Sequence, residues 1–382
     1  MAYIYRNEGW PKFTWDSSRL VSSLSAARYN QGLLLGKMQD LGYQLQNEAT
    51  LTALTEETVK SSAIEGEELN PESVRSSLAR HMGREVAGTR PADRNVEGIV
   101  EMMLDATQRY ALPLTEERLF GWHAALFPTG RSGLRRIKTG AWRTGPIEVV
   151  SGPEGREKVH FEGPKSDAVA SEMKAFLTWF EGTGTGTEPL LKAGLAHLYF
   201  VTIHPFEDGN GRIARAVTEM ALARSESSAQ RFYSMSSQIR RERRDYYAIL
   251  EATQKAGMDV TKWLVWFLDC LAQAIGTVND LTASVLNKDA FWRRMKQKSI
   301  NLSERQKTII NQLLDGFEGK LTTEKWAKIA KTSHDTALRD IQDLINKGIL
   351  RQESSGGRST AYALIREDAS EDTERDISLR GT

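Results

Sequence analysis

His204-Pro-Phe-Glu-Asp-Gly-Asn-Gly-Arg-Ile-Ala-Arg215 joins two apolar runs of helical spacing, Leu191 to Ile203 before it and Ile213 to Arg224 after it. The Gly209-Asn210-Gly211 turn therefore sits at a helix N-terminus. Free backbone N–H groups and the positive end of the helix dipole make such a terminus an anion pocket, and glycines let phosphate oxygens approach the main chain. Arg212 and Arg215 lie three apart at the start of the helix, so both planar, always-charged groups can face one phosphate chain. Asp208 is a hard oxygen ligand suited to a magnesium ion shared with substrate phosphates. His204 is the nearby side chain whose ordinary pKa suits a general base at neutral pH. Taken singly, His-Pro reads as a helix terminus, Gly-Asn-Gly as a turn and Phe206 as a core anchor. Base, carboxylate, glycine nest and two arginines within twelve residues point instead to a nucleotide phosphate site.

Working outward, the chain reads as mostly helical. Leu20, Leu24, Ala27, Leu33, Leu34, Leu41, Leu45, Leu51 and Leu54 recur at three-to-four-residue spacing, and further helices are predicted at Pro71 to His81, Asn95 to Gln108, Thr115 to Leu126 and Asp167 to Phe180. The exception is Ile137 to Pro164, which reads as a short β-hairpin. Tyr3, Tyr5, Trp10, Phe13 and Trp15 form an aromatic arm expected to pack on the body or on a second copy. Met82 to Pro91 reads as a loop, and Gly182 to Thr187 as an exposed connector. The polar, basic run Asn287 to Lys298 is predicted to be a linker. Three helices and a hairpin follow between Leu302 and Leu364, the order of a winged helix-turn-helix. The expected division is an N-terminal helical extension over 1–90, a catalytic core over 91–286, linker and winged helix over 287–365, and a disordered acidic tail over 366–382.

The chain has 382 residues and 42.8 kDa, with 40% hydrophobic and 26% charged residues, which excludes a mainly disordered chain or a disulfide scaffold. Cys270 is the single cysteine and lies in an apolar run, so it reads as a core thiol in a reducing compartment. No stretch has the apolar length of a membrane span and the first residues lack the sections of a signal peptide, so a cytoplasmic protein is expected, with no membrane partner. The net charge of +1 gives no global nucleic-acid footprint. Between 301 and 365, ten Lys/Arg stand against eight Asp/Glu. Lys325, Lys328, Lys331 and Arg339 are the candidate DNA-facing stripe of the winged helix.

The stretch 204–215 resembles the signature of the Fic family, His-Pro-Phe-x-Asp/Glu-Gly-Asn-Gly-Arg-x-x-Arg, at every defined position. The resemblance implies a helical core that transfers AMP from ATP to a hydroxyl side chain of a target protein, and of itself, and releases pyrophosphate. It implies that His204 deprotonates a target Tyr, Ser or Thr, that Asp208 holds magnesium, and that Gly209, Asn210 and Gly211 cradle the phosphates. Arg212 and Arg215 would hold the β and γ phosphates. The hairpin over 147–161 resembles the family's target-aligning flap, with Val149, Val150 and Ser151 as nucleotide-facing candidates. Tyr246, Tyr247 and Gln254 fall where relatives place adenine contacts, Gln254 standing for an Asn. Ser61-Ser-Ala-Ile-Glu65-Gly66 is similar to the family's inhibitory pattern. Ser61 and Glu65 share a helix face, so Glu65 can reach toward the phosphate pocket, and the resemblance implies Arg215 as its partner. The resemblance further implies a homodimer. Two alternative activities are carried forward: removal of AMP at the same site, with Glu65 orienting water, and DNA-bound regulation through the winged helix.

Overall fold

The computed structural model describes residues 3–39, 41, 43–83, 94–152, 156, 158–182, 186–314, 320–353 and 360–365. The chain divides into two compact units, 1–279 and 280–382.

In the first unit, α1 (Ser17–Gln39), α2 (Tyr43–Ile64), α3 (Pro71–His81), α4 (Arg94–Gln108) and α5 (Glu116–Leu126) precede two short hairpins. The first pairs β1 (Arg131–Ser132) with β2 (Arg135–Arg136), and the second pairs β3 (Glu148–Ser151) with β4 (Lys158–Glu162), both antiparallel. Then come α6 (Val169–Glu181), α7 (Pro189–Ile203), α8 (Asn210–Glu226), α9 (Met235–Arg241), α10 (Arg243–Gln254) and the first part of α11 (Thr261–Gln297), whose residues from 280 on belong to the second unit. Pro189 in the first turn and Glu188, whose carboxylate accepts the Leu191 N–H at 3.0 Å, start α7. Almost every residue of α7 is buried, as are Ile213, Ala214, Ala216, Val217 and Met220 of α8, so these two helices form the centre of the core. At ~1.5–3 kcal/mol per fully buried large apolar side chain, this is where the unit's stability is concentrated.

Helix α2 is fixed at a second place. The buried Glu57 carboxylate accepts the Ser236 N–H at 2.9 Å and the hydroxyls of Ser234 and Ser236, capping α9 from outside its own helix. The aromatic arm packs on its own chain. Tyr3 and Tyr5 meet Phe161 of β4 edge-on, Trp10 and Phe13 meet Tyr199 of α7, and Trp10 donates its indole N–H to Glu172 at 2.8 Å. Those rings do not offer the free apolar surface that the sequence suggested for self-association.

In the second unit, the run expected to be a linker is helical. Asn287 to Lys298 holds no Pro or Gly, and Phe291 and Met295, four apart on α11, are buried in the unit's core. α12 (Glu304–Leu314), α13 (Thr323–Ile329) and α14 (His334–Asn346) precede β5 (Leu350–Glu353) and β6 (Ala361–Leu364), which pair antiparallel. Leu321 bridges Tyr362 beside that hairpin, and Trp326, Ile341 and Leu344 are buried beneath it. On α14, Arg339 has Asp335 and Asp343 as its i±4 neighbours, which dilutes the expected basic stripe. The expected loop at 84–91 and tail at 366–382 lie outside the described residues. Among the described residues, no helix is long and apolar enough to cross a membrane.

Candidate active site

The loop between α7 and α8 is built by its own side chains. His204 ends α7 in a left-handed conformation, φ 51° and ψ 59°, which costs a residue with a Cβ about 1 kcal/mol or more and persists where surroundings over-determine it. Those surroundings are Arg143 and Asn210. Arg143, 2% exposed, donates Nε to the His204 carbonyl at 2.8 Å, Nη1 to Gly145 O at 2.8 Å and Nη2 to Pro164 O at 2.5 Å. Its own N–H bonds Pro205 O at 2.9 Å. It thereby ties the His204 backbone to both roots of the β3–β4 hairpin. Asn210 accepts the Phe206 N–H at 2.9 Å and donates to Phe206 O at 2.8 Å. The Asn210 side chain thereby closes the loop from which the helix starts. Phe206 lies beneath, fully buried and stacked on His123 at 4.2 Å between centroids.

The His204 imidazole is partly buried, and Nδ1 lies 3.1 Å from Val201 O. A carbonyl only accepts, so Nδ1 carries the proton and Nε2 keeps its lone pair. Burial lowers the His204 pKa, and Arg143 adds to the effect, while the Val201 carbonyl, Glu65 and Asp208 oppose it. The ring is neutral at physiological pH and fit to accept a proton. Gly209, at φ 78°, caps α8. Asp208 accepts the Gly209 N–H at 2.6 Å and the Ser132 hydroxyl from β1.

The first-turn arginines of α8 both meet carboxylates from the end of α2. That end is a Schellman turn: Gly66 N–H bonds Ala63 O at 3.2 Å and Glu67 N–H bonds Ser62 O at 3.1 Å, with Gly66 at φ 87°. Arg243 and Tyr247 cover the freed Ile64 carbonyl at 2.9 and 3.3 Å. The turn projects Glu65 and Glu67 onto α8. Arg215, 2% exposed, donates Nε to Ser61 Oγ at 2.8 Å, Nη2 to Ser61 O at 2.7 Å and Nη1 to Glu65 Oε1 at 2.8 Å. Arg212 donates Nη1 to Glu67 Oε2 at 2.6 Å and lies over the Phe127 ring, and its buried Nε has no acceptor among the described residues. A Cβ on Gly211 would stand 2.0 Å from Glu65 Oε1, so the carboxylate occupies the space that this glycine leaves above the helix end.

The structure thus brings His204, Asp208, Gly209, Gly211, Arg212, Arg215, Ser61 and Glu65 together. It does not bring all the adenine candidates with them. Tyr246, 2% exposed, bonds His197 at 2.9 Å and lies against Arg215 and the Tyr247 ring, whereas Gln254 is buried and donates to Thr202 at 3.3 Å. Tyr247 is beside the α2 end. Val149 pairs with Phe161 on the hairpin, Val150 is exposed, and Ser151 bonds His160. Sequence reading missed Arg143, Ser132 and Glu67. Only Glu67 had a visible signal, a second carboxylate directly after the Glu65-Gly66 turn.

Three sets of similarities bear on this site. Residues 113–222 match the Fic/DOC family, and residues 3–84 match a domain of unknown function, DUF4172. Over 58 residues, 15% of this chain and 11% of that protein, the sequence is 38% identical to Protein adenylyltransferase fic-1 of Caenorhabditis elegans. Over 136 residues, 34% of this chain and 26% of that protein, it is 27% identical to Protein adenylyltransferase Fic of Drosophila melanogaster. The matched segments are thus about a quarter or less of those relatives' lengths. In fold, the chain is similar to a Fic family protein from Desulfovibrio desulfuricans, with TM-score 0.50 and 20% identity over 90% of this chain and 96% of that one. A Fic domain containing signaling protein from Bacteroides thetaiotaomicron gives TM-score 0.51 and 20% identity over 68% and 97%.

Proposed function

Because this chain carries a Fic domain over 113–222, we propose that it transfers AMP from ATP to a hydroxyl side chain of a protein, and that Glu65 and Glu67 hold it off. In this reading His204 Nε2 takes the proton of the acceptor hydroxyl. The oxygen attacks the α-phosphorus, the bond to pyrophosphate breaks, and the departing charge falls on the α8 N-terminus, Arg212 and Arg215. Asp208 has lone pairs beyond the two bonds it accepts. Among the described residues no three His, Cys, Asp or Glu side chains gather to hold a metal alone. Both facts suit a magnesium ion held by Asp208 together with phosphate oxygens, where it would neutralise triphosphate charge. The edge of β3 away from β4 has no strand partner among the described residues and suits main-chain pairing with an extended target segment.

The observation that carries this reading is the Glu65 carboxylate on Arg215, directly over Gly211. A carboxylate there stands where a phosphate oxygen would, and repels the triphosphate's charge. The reading is tested by incubating the Glu65→Gly chain in lysate with α-labelled ATP, followed by mass spectrometry of labelled bands. Labels on other proteins that vanish when His204→Ala is added support it. Absence of label in both variants contradicts it, and loss of AMP removal from modified proteins in Glu65→Gly would instead make Glu65 the group that orients water.

A further inference from the structure

A second group of proton-handling side chains meets on the β3–β4 hairpin, apart from the His204 loop. Ser151 Oγ lies 2.6 Å from His160 Nε2, and His160 Nδ1 lies 2.7 Å from Glu251 Oε2 of α10. A carboxylate only accepts, so the Nδ1 proton is aimed at Glu251 and Nε2 is left to accept the Ser151 hydroxyl proton. The hairpin's irregularity creates this meeting. Val149 stands opposite Phe161 and Val150 opposite Val159, which leaves His160 as the extra residue of a bulge. Bulges re-aim side chains that strict alternation would place elsewhere. Phe161 faces the core, His160 reaches α10, and Ser151 at the end of β3 stays exposed. Bonds from Lys255, 2.6 Å from the other carboxylate oxygen, and from His160 hold the Glu251 carboxyl below its ordinary pKa, so it is charged beside the imidazole.

Alcohol, imidazole and carboxylate bonded in this order activate a hydroxyl as a nucleophile. We propose that Ser151 is an acceptor hydroxyl with its own base, and that the chain modifies itself there with a nucleotidyl group. For its electrophile the inference rests on the AMP-transfer reading above. Ser151 Oγ bonds to the α-phosphorus of a nucleoside triphosphate, the bond to pyrophosphate breaks, and the hydroxyl proton passes to His160 Nε2. Glu251 balances the charge that the imidazole gains. The α8 nest and its arginines hold the phosphates, so the hairpin need supply only the hydroxyl and its base.

The test maps adducts by tandem mass spectrometry after full-length Glu65→Gly protein is incubated with magnesium and ATP. An AMP adduct on Ser151 is expected. Adding His160→Gln, which keeps a hydrogen bond but cannot take the proton, should lower it tenfold or more, while adducts on other hydroxyls persist. Adducts elsewhere with none on Ser151, or a Ser151 adduct indifferent to His160→Gln, overturn the proposal. A second arm needs no nucleotide: the same protein is treated with a fluorophosphonate, whose phosphorus bonds to the serine oxygen as fluoride leaves and the proton goes to His160. If ATP gives no adduct anywhere, His160-dependent labelling of Ser151 upholds the activated serine and places the failure in the AMP-transfer reading. Unlabelled Ser151 in both arms overturns the proposal outright.

Discussion

Arg215 and Arg212 stand one helical turn apart on α8 and each meets a carboxylate from one three-residue turn, yet they are held very differently. Arg215 has three donors placed, two of them on Ser61, and its position would survive departure of the Glu65 carboxylate. Among the described residues Arg212 pairs with Glu67, which is 40% exposed, and its buried Nε has no acceptor. Pre-organisation and blockage are therefore separate properties. In the proposed reading Ser61 holds Arg215 in place for a phosphate, and the Glu65 carboxylate occupies that phosphate's position. Arg212 is less fixed and less firmly blocked, because an exposed pair is weakened by solvent screening.

The largest effect tests whether either arginine serves the chemistry assigned to this loop. In the Glu65→Gly background, His204→Ala should lower AMP transfer by ~10²–10⁴-fold, the usual contribution of a general base. ATP binding, measured by calorimetry, should remain. Next in size is Glu65→Gly itself. Losing a charge-assisted contact of ~1.5–3 kcal/mol corresponds to about one to two powers of ten in the open population. Self-labelling with ATP should rise accordingly, and adding Arg215→Ala should remove the gain. A gain that survived Arg215→Ala would break the distinction between the two arginines.

Glu67→Gln sharpens the comparison from the other side. It should raise labelling only severalfold, with an effect that shrinks as salt is added, because the lost pair is partly exposed. A rise equal to that of Glu65→Gly would show that Arg212 carries the blockage. The smallest effect is on pH. His204 must be unprotonated to act, and burial depresses its pKa, so activity should persist as pH falls through the ordinary histidine value. In Glu65→Gly, which lacks a carboxylate that opposes this depression, the acid limb of kcat/KM should lie below about pH 6.5. A limb at or above that value contradicts the assignment.

The same contrast separates what the sequence reveals from what it hides. The 204–215 loop is legible because its chemistry and its helix start occupy consecutive residues. Glu65 and Ser61 are legible only through resemblance to an inhibitory pattern, because i,i+4 spacing alone would read as a solvated helix face. Arg143 is not, because its three side-chain bonds go to carbonyls, and any residue offers a carbonyl. Ser151, His160 and Glu251 are hidden for two reasons: the bulge breaks the period-two pattern, and 91 residues separate His160 from Glu251. The linker reading of 287–298 failed because a polar composition masked Phe291 and Met295, four apart and buried. Gln254 is placed by resemblance alone, without regard to burial.

The central claim, that Glu65 occupies a phosphate position on Arg215, is tested most directly by comparing magnesium-ATP and AMP affinities in wild-type and Glu65→Gly proteins by calorimetry. The account predicts little preference for ATP in the wild type, where the β and γ phosphates find the α8 N-terminus covered. In Glu65→Gly it predicts a preference for ATP larger by tenfold or more, in line with the ~1.5–3 kcal/mol of a charge-assisted contact. An ATP-to-AMP affinity ratio unchanged between the two proteins would contradict it.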